Sequence, residues 1–233
     1  MSPYREHVRE HIVYVVTRVR GMKSLLLSRD DLEDLLDQKD IDALTEVLLT
    51  SDYKEEMARA LATHTAADAI EEAVLRHLLL CFRQLLTLSG EQYRPYTALF
   101  LARWDLMTVK QLLRQRFAEN QGIKAAGFPA PGPTLGLPLI KHLTQRDSLE
   151  ALILGLIAWN RDLCACLWKV HRAGETPAML RVLEDALDRS YLVEHARRLA
   201  TDPQPSARLV RKVLGMSIDG VNLRILLLSL IPI

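Results

Sequence analysis

Apolar side chains recur three and four residues apart along most of this chain, and alternation with a period of two is rare. Such spacing gathers apolar residues on one face of a helix, so the pattern predicts an all-α fold. Ser28 marks one helix start, because it precedes an acidic turn that includes Asp31 and can accept a hydrogen bond from a backbone N–H of that turn. Leu32, Leu35 and Leu36 then follow on one face of the predicted helix.

The same signals predict several further helices in the first part of the chain. One begins at Asp40, another covers 53–61, and a long helix covers 66–88 and ends at Ser89-Gly90. Glycine after the last apolar position of a helical pattern is a common stop signal, because glycine adopts the backbone conformation that terminates a helix.

A segment rich in glycine and proline interrupts the helical pattern at 127–138. Proline fixes its own φ angle and lacks a backbone donor, so a helix cannot continue through this segment. We therefore expect a first helical module at 1–126, a linker at 127–138 and a second helical module at 139–233. A lesser break at 202–205 separates helices inside the second module.

An internal match suggests that the two modules are copies of one another. Residues 105–113 align without a gap with residues 219–227, and both read Asp, two variable residues, Thr or Asn, an apolar residue, a basic residue, a variable residue and Leu-Leu. The leading aspartates, Asp105 and Asp219, are predicted to cap the first turn of equivalent helices. A duplicated helical module follows if this alignment is correct.

Composition narrows the possible classes of protein. The chain has 233 residues, 49% of them hydrophobic, and a formal net charge of +1, with basic and acidic residues interspersed. This balance argues against a disordered chain, a nucleic-acid-binding stripe and a polybasic membrane patch. Three cysteines in helical surroundings give no disulfide framework, and the charged N-terminus does not resemble a signal peptide.

One zinc-binding motif is present near the N-terminus. His7, Glu10 and His11 spell H-x-x-E-H, in which two histidines at helical spacing can bind zinc while the glutamate acts as a base. A third ligand cannot be named, and a closed, dry site is hard to build at a chain end. We favour a solvated, charged helix start, and we expect neither a metal nor a cofactor.

Two other arrangements are also better explained by packing. Cys164 and Cys166 point to divergent faces of a helix, so together with His171 they are expected to pack in a core rather than to bind a metal. The segment 127–138 lacks the residue order of a phosphate-binding loop, so we expect no direct nucleotide binding.

Four segments, in this order along the chain, resemble the C-subunit family of V/A-type ATPases, also called the C/d or AC39-like family. They are residues 14–36, 49–56, 104–114 and 183–191. The sequence departs from the family pattern at Lys54, where glycine is usual, at Thr108, where asparagine is usual, and at Leu228, where the first repeat has Arg114.

The resemblance implies a non-catalytic, all-α central-stalk subunit. Members of the family form a pseudo-threefold funnel of helical modules that couples the rotor shaft subunits of the soluble ATPase part to the membrane proteolipid rotor ring. The resemblance therefore implies a cytoplasmic protein, peripheral to the membrane, that binds no nucleic acid. It also implies a third module beyond residue 233, so we expect the chain to be incomplete at its C-terminus.

The final residues, 223–233, support the expectation of an uncovered interface. They are apolar around the whole predicted helix but too few to cross a bilayer, and they include Arg224 and Pro232. Residues of this kind normally need burial on all sides, so we expect the chain to oligomerise or to require a partner.

Five basic residues are the candidates for a partner interface: Arg18, Arg20, Lys23, Lys110 and Arg114. They can equally be explained as solvated helix faces; the resemblance favours a surface that holds the polar shaft helices. Two other functions are left open: a helical repeat adaptor that binds a partner helix in a groove, and an N-terminal metalloprotease-like enzyme.

Overall fold

The computed structural model describes residues 3–123, 129–174 and 178–229; for 3–11, 66, 221 and 224–229 it describes the backbone alone. Every regular element in these ranges is helical. The all-α prediction is therefore confirmed.

The chain divides into two compact units, Met1–Arg94 and Pro95–Ile233. The helices of the first unit are α1 (Pro3–Ser24), α2 (Arg29–Leu36), α3 (Ile41–Thr50), α4 (Lys54–Leu61) and α5 (Ala66–Leu88). Helix α6 (Gly90–Asn120) begins in the first unit and continues, from Pro95 onward, in the second.

Local sequence signals position the starts of α2 and α3. The hydroxyl of Ser28 accepts a 3.1 Å hydrogen bond from the N–H of Asp31, and the carboxylate of Asp31 accepts a 2.7 Å bond from the N–H of Ser28. This reciprocal cap lowers the pKa of Asp31 because the hydrogen bonds stabilise its charged form. Asp40 caps α3 by accepting a 2.8 Å bond from the N–H of Ala43. Both predicted starts are confirmed.

The first unit has a small core formed by α3, α4 and α5. Met57 and Ala60 on α4 meet Ala69 and Ala73 on α5, with Leu48 of α3 beside them. The alanines let the helix backbones approach closely, but they bury little apolar area, so the first unit depends on few large side chains.

The second unit has a larger core. Its remaining helices are α7 (Leu137–Thr144), α8 (Leu149–Gly155), α9 (Arg161–Arg172), α10 (Met179–Ala200) and α11 (Pro205–Ser229), with one turn of 3₁₀-helix at Leu156–Ala158. Side chains from α6 to α10 form one apolar cluster, which includes Leu113, Ile140, Leu152, Leu167 and Leu183. Truncating one of these leucines to alanine would leave a cavity and cost about 2–5 kcal/mol.

A second cluster in this unit holds α11 in place. Leu199 on α10 packs against Ala207 and Leu214 on α11, and Tyr96 and Leu99 of α6 complete the cluster. The opposite side of α11 exposes large apolar residues, among them Leu223, which is 59% exposed. The side chains of 224–233, on which the predicted C-terminal interface depends, lie outside the described residues.

The predicted helix caps Asp105 and Asp219 are wrong. Asp105 lies in the middle of α6 and Asp219 in the middle of α11. Helices that begin upstream, at Gly90 and Pro205, include the segments that resemble helix starts. The duplication, and the module boundaries 1–126, 127–138 and 139–233, stay predictions.

Candidate functional site

The five predicted interface residues lie on two helices that belong to different compact units. Arg18, Arg20 and Lys23 are exposed along α1 in the first unit. Lys110 and Arg114 lie on α6 in the second unit.

Lys110 and Arg114 pair with acidic residues of α10. The ammonium of Lys110 lies 2.7 Å from the carboxylate of Asp188. The guanidinium of Arg114 donates two hydrogen bonds to Glu184, of 2.6 and 3.0 Å. The hydrogen bond to Glu184 is the largest influence on Arg114 and raises the pKa of its guanidinium. These pairs tie α6 to α10 inside the second unit.

The partners of these basic residues were missed by sequence reasoning, although a signal existed. Lys110 and Arg114 are four residues apart on one helix, and Glu184 and Asp188 are four residues apart on another. Because the basic pair and the acidic pair have the same spacing, two salt bridges can form side by side when the two helices run antiparallel. Arg114 keeps a 57% exposed side chain despite its pair, so it also remains accessible to solvent.

A buried carboxylate fastens the Gly/Pro-rich segment to α6. Asp105 is 1% exposed and accepts bonds from the N–H of Thr134 (3.0 Å), the hydroxyl of Thr134 (2.8 Å) and the N–H of Leu135 (2.7 Å). Burial raises the pKa of Asp105, while the three hydrogen bonds oppose that rise. Gly132 allows the approach, because a Cβ at this position would lie 2.1 Å from a carboxylate oxygen of Asp105.

Two further residues of α6 hold the same segment. The side-chain oxygen of Gln111 accepts a 3.0 Å hydrogen bond from the N–H of Ala130, and the hydroxyl of Thr108 donates to the carbonyl of Ala130. Pro129 and Pro131 are buried. The described part of the predicted linker, from 129 to 136, is thus packed within the second unit.

A cleft of about 860 Å³ lies in the second unit, between α6, α10 and the start of α9. The hydroxyl of Tyr96 donates a 2.6 Å hydrogen bond to Asp202 on its wall. His195 also lines the cleft and contacts the ring of Tyr191 in a tilted arrangement, with ring centroids 4.0 Å apart and ring planes at 43°. No motif in the sequence indicated this cleft, because its walls come from segments about 100 residues apart along the chain.

His195 is shielded from water but poorly hydrogen-bonded. Neither ring nitrogen has a partner at normal hydrogen-bond geometry, although the backbone of Tyr191 and of Leu99 lies close enough to favour the charged form. Burial dominates and Arg198 adds repulsion, so the pKa of His195 falls to about 4. The imidazole is therefore neutral at physiological pH.

The two cysteines of α9 differ in burial. Cys164 is 3% exposed, and its thiol donates a 3.1 Å hydrogen bond to the carbonyl of Ile153. Burial raises the pKa of the Cys164 thiol. Cys166 lies beside the carbonyl of Ala186, at 3.7 Å. Core packing is therefore confirmed for Cys164, whereas Cys166 lies half-buried against α10.

The zinc motif of His7, Glu10 and His11 falls on α1, but its side chains lie outside the described residues. Among the side chains that are described, no group of three histidine, cysteine, aspartate or glutamate residues is arranged to hold a metal ion. Within the same ranges, no helix is both long enough and apolar enough to cross a membrane.

Comparison with models of known protein families shows the family to which the chain belongs. Residues 15–230 match the model of the ATP synthase (C/AC39) subunit family. The chain belongs to this family. The match covers both compact units of this C/AC39 family member, so the resemblance found in the four sequence segments is confirmed.

Three curated relatives of this C/AC39 family member are each named as the C subunit of an A-type ATP synthase. The Methanosarcina barkeri protein is 34% identical over 217 residues, which cover 90% of this chain and 56% of the relative. The Methanosarcina mazei protein is 33% identical over 217 residues, with the same coverage of 90% and 56%. The Methanococcoides burtonii protein is 26% identical over 216 residues, 90% of this chain and 57% of the relative. The chain thus spans a little over half the length of the relatives it matches.

Proposed function

We propose that this chain is a non-catalytic central-stalk subunit of a rotary V/A-type ATPase, which couples the rotor shaft to the membrane proteolipid ring. The observation that carries the proposal is the family match over residues 15–230. The relatives, which are named as C subunits of A-type ATP synthases, agree with it. The partners are the shaft subunits and the ring, and the location is the cytoplasmic surface of the membrane.

The packing of the second unit suits a part that transmits force. One apolar cluster unites five helices, and densely packed interiors deform little. The bridges from Lys110 to Asp188 and from Arg114 to Glu184 resist sliding of α6 along α10. Asp105 fixes the segment between α6 and α7 to the same body. In this proposal the chain contributes stiffness and binding surfaces, and the chemistry of ATP belongs to other subunits.

The proposed partner surfaces include the five basic residues named from the sequence. Arg18, Arg20 and Lys23 are exposed on α1 and free to meet acidic groups of a partner. Arg114 contributes through the exposed part of its side chain, whereas Lys110, with an 18% exposed side chain, acts mainly through its bridge to Asp188. The balanced net charge of +1 fits protein partners better than a nucleic acid.

Affinity purification from detergent-solubilised membranes of the source cells tests the proposal. A tagged chain is expected to retain shaft subunits and the proteolipid ring in fixed proportion. The double variant Arg20→Glu with Lys23→Glu is expected to retain less, while Arg29→Glu, an exposed change on α2, serves as the matched control. A chain that retains neither the shaft nor the ring would overturn the proposal.

A second candidate function is a helical adaptor that binds one partner helix. The cleft of about 860 Å³ in the second unit favours it, because its walls combine apolar residues with polar groups such as Tyr96 and Asp202. The same purification separates the two functions. An adaptor would retain one partner protein without the proteolipid ring.

A further inference from the structure

Helix α1 exposes an ordered apolar stripe that no described part of the chain covers. Ile12, Val16 and Val19 are 45%, 43% and 37% exposed, and they are spaced by four and then three residues. The next position of this series is Lys23, which is also exposed. We call these four residues the α1 seam.

The other faces of α1 are different in character, apart from Val13, which is 60% exposed at one edge of the seam. Val15 and Met22 are half-buried and mark the side on which α1 packs against α5. Tyr14, which is 56% exposed, and Arg18 lie on the side away from the seam. The seam is therefore a distinct face and not part of an evenly apolar helix.

The spacing of the seam indicates a helix as its partner. Apolar residues that alternate at intervals of four and three are the pattern of helices that pair side by side. The β-branched residues Ile12, Val16 and Val19 suit such packing, because they have few rotamers to lose. A membrane surface would favour a broader apolar face with aromatic side chains at its boundary, but the exposed Tyr14 lies on the opposite side of α1 and does not widen the seam.

The basic residues at the seam indicate which charged side chains the partner helix carries. Arg20 stands at the edge of the seam and Lys23 within it. Two copies of the chain paired in parallel through this seam would place Lys23 against Lys23 in a desolvated contact, which is unfavourable. Acidic side chains that flank the apolar stripe of a different helix would instead pair with both Arg20 and Lys23.

We propose that the α1 seam docks one amphipathic helix of a partner protein, with apolar residues at heptad spacing and glutamate or aspartate beside them. The proposal rests on the proposed function, since it gives the chemistry of one partner surface of the rotary ATPase subunit. It distinguishes Lys23 within the seam and Arg20 at its edge from Arg18, which lies on the other side of α1.

Two synthetic peptides of about three heptads test the seam, each with leucine at both apolar positions. One carries glutamate at the flanking positions and the other carries lysine. Fluorescence anisotropy with the full chain is expected to show binding at least about tenfold tighter for the glutamate peptide, since a tenfold ratio corresponds to only about 1.4 kcal/mol. Equal affinity for both peptides would overturn the proposal.

Variants locate the binding face. Val16→Asp with Val19→Asp is expected to weaken glutamate-peptide binding at least about tenfold, and Tyr14→Asp, an exposed change on the opposite side of α1, is the control that leaves binding unchanged. Lys23→Glu is expected to reverse the preference between the peptides, and Arg18→Glu to preserve it. These positions are exposed, so circular dichroism is expected to show the same helicity in every variant.

Other occupants of the seam give different results. Light scattering that shows a dimer of the wild-type chain, lost in the Val16 and Val19 double variant, would assign the seam to a second copy and overturn the proposal. Sedimentation with anionic phospholipid vesicles, lost in the same variant, would assign it to a membrane and overturn the proposal as well. If the double variant still co-purifies with the shaft and ring as well as the wild type does, the seam proposal fails while the proposed function stands.

Discussion

The carboxylate of Asp105, in the middle of α6, accepts a 2.7 Å hydrogen bond from the backbone N–H of Leu135, thirty residues further along the chain. The contact is buried, with Asp105 1% exposed and Leu135 fully covered. It fixes the approach to α7 against α6, and it explains why a charged group is retained in an apolar core.

Replacement of Asp105 by alanine is expected to lower the free energy of unfolding by about 3 kcal/mol, because the buried N–H of Leu135, the N–H of Thr134 and the hydroxyl of Thr134 lose their acceptor. Asp105→Asn keeps one acceptor oxygen and should lose less. Urea denaturation followed by circular dichroism measures both. Asp185→Asn, on the exposed face of α10, is the control and should stay within about 0.5 kcal/mol of the wild type.

Replacement by alanine is expected to change the stability of the chain in opposite directions at two glycines. Gly132→Ala places a methyl group 2.1 Å from Asp105 Oδ1 and 2.6 Å from its Cα, so it should destabilise the second unit by about 3 kcal/mol or more. Gly215 lies inside α11 with no atom within 4 Å of an added Cβ. Gly215→Ala should therefore stabilise the chain by about 0.5–1 kcal/mol. Equal effects of the two changes in thermal unfolding would contradict the packing described for 129–136.

The buried imidazole of His195 predicts a dependence of stability on pH. Its pKa is lowered in the folded chain from 6.5 to about 4. Between these values the unfolded chain binds more protons than the folded chain, so stability is fully present above pH 6.5 and falls as the pH drops toward 4. With allowance for its partial exposure, His195 should account for about 1–2 kcal/mol of this loss.

Denaturation at several pH values measures that contribution. His195→Gln should flatten the slope of stability against pH between pH 6.5 and 4. An unchanged slope in the His195 variant would mean that its ring is as accessible to protons in the folded chain as in the unfolded one.

The bridge between Arg114 and Glu184 is expected to contribute about 0.5–1 kcal/mol, since one partner is largely exposed. A double-mutant cycle with Arg114→Ala and Glu184→Ala measures this coupling. The exchanged pair, Arg114→Glu with Glu184→Arg, should recover part of the stability that either single reversal loses. A coupling energy near zero at low salt would mean that this bridge does not help to hold α6 against α10.

Some of the fold could be predicted because its signals are local. Ser28 and Asp40 cap helices through residues three positions away, so the sequence contains both partners of each bond. The bounds of α5 followed from its apolar spacing and the Ser89-Gly90 stop signal. Membership of the family rested on four ordered segments, which the match over 15–230 confirms.

Other features depended on distant parts of the chain. Asp105 resembles a helix cap because aspartate before a helical pattern often is one, yet its partners are Thr134 and Leu135. Because α6 begins upstream, at Gly90, the helix continues through Asp105, and this aspartate binds a distant segment instead of capping a first turn. The pairing of Lys110 with Asp188 required knowledge that α6 and α10 lie side by side.

The proposed coupling of ATP hydrolysis to ion transport is measured most directly in membrane vesicles prepared with and without this chain. Vesicles that lack the chain are expected to show no ATP-driven ion gradient, and addition of the purified chain should restore the gradient. The isolated chain is expected to hydrolyse no ATP. An ion gradient of equal size with and without the chain, or ATP turnover by the isolated chain, would contradict the account.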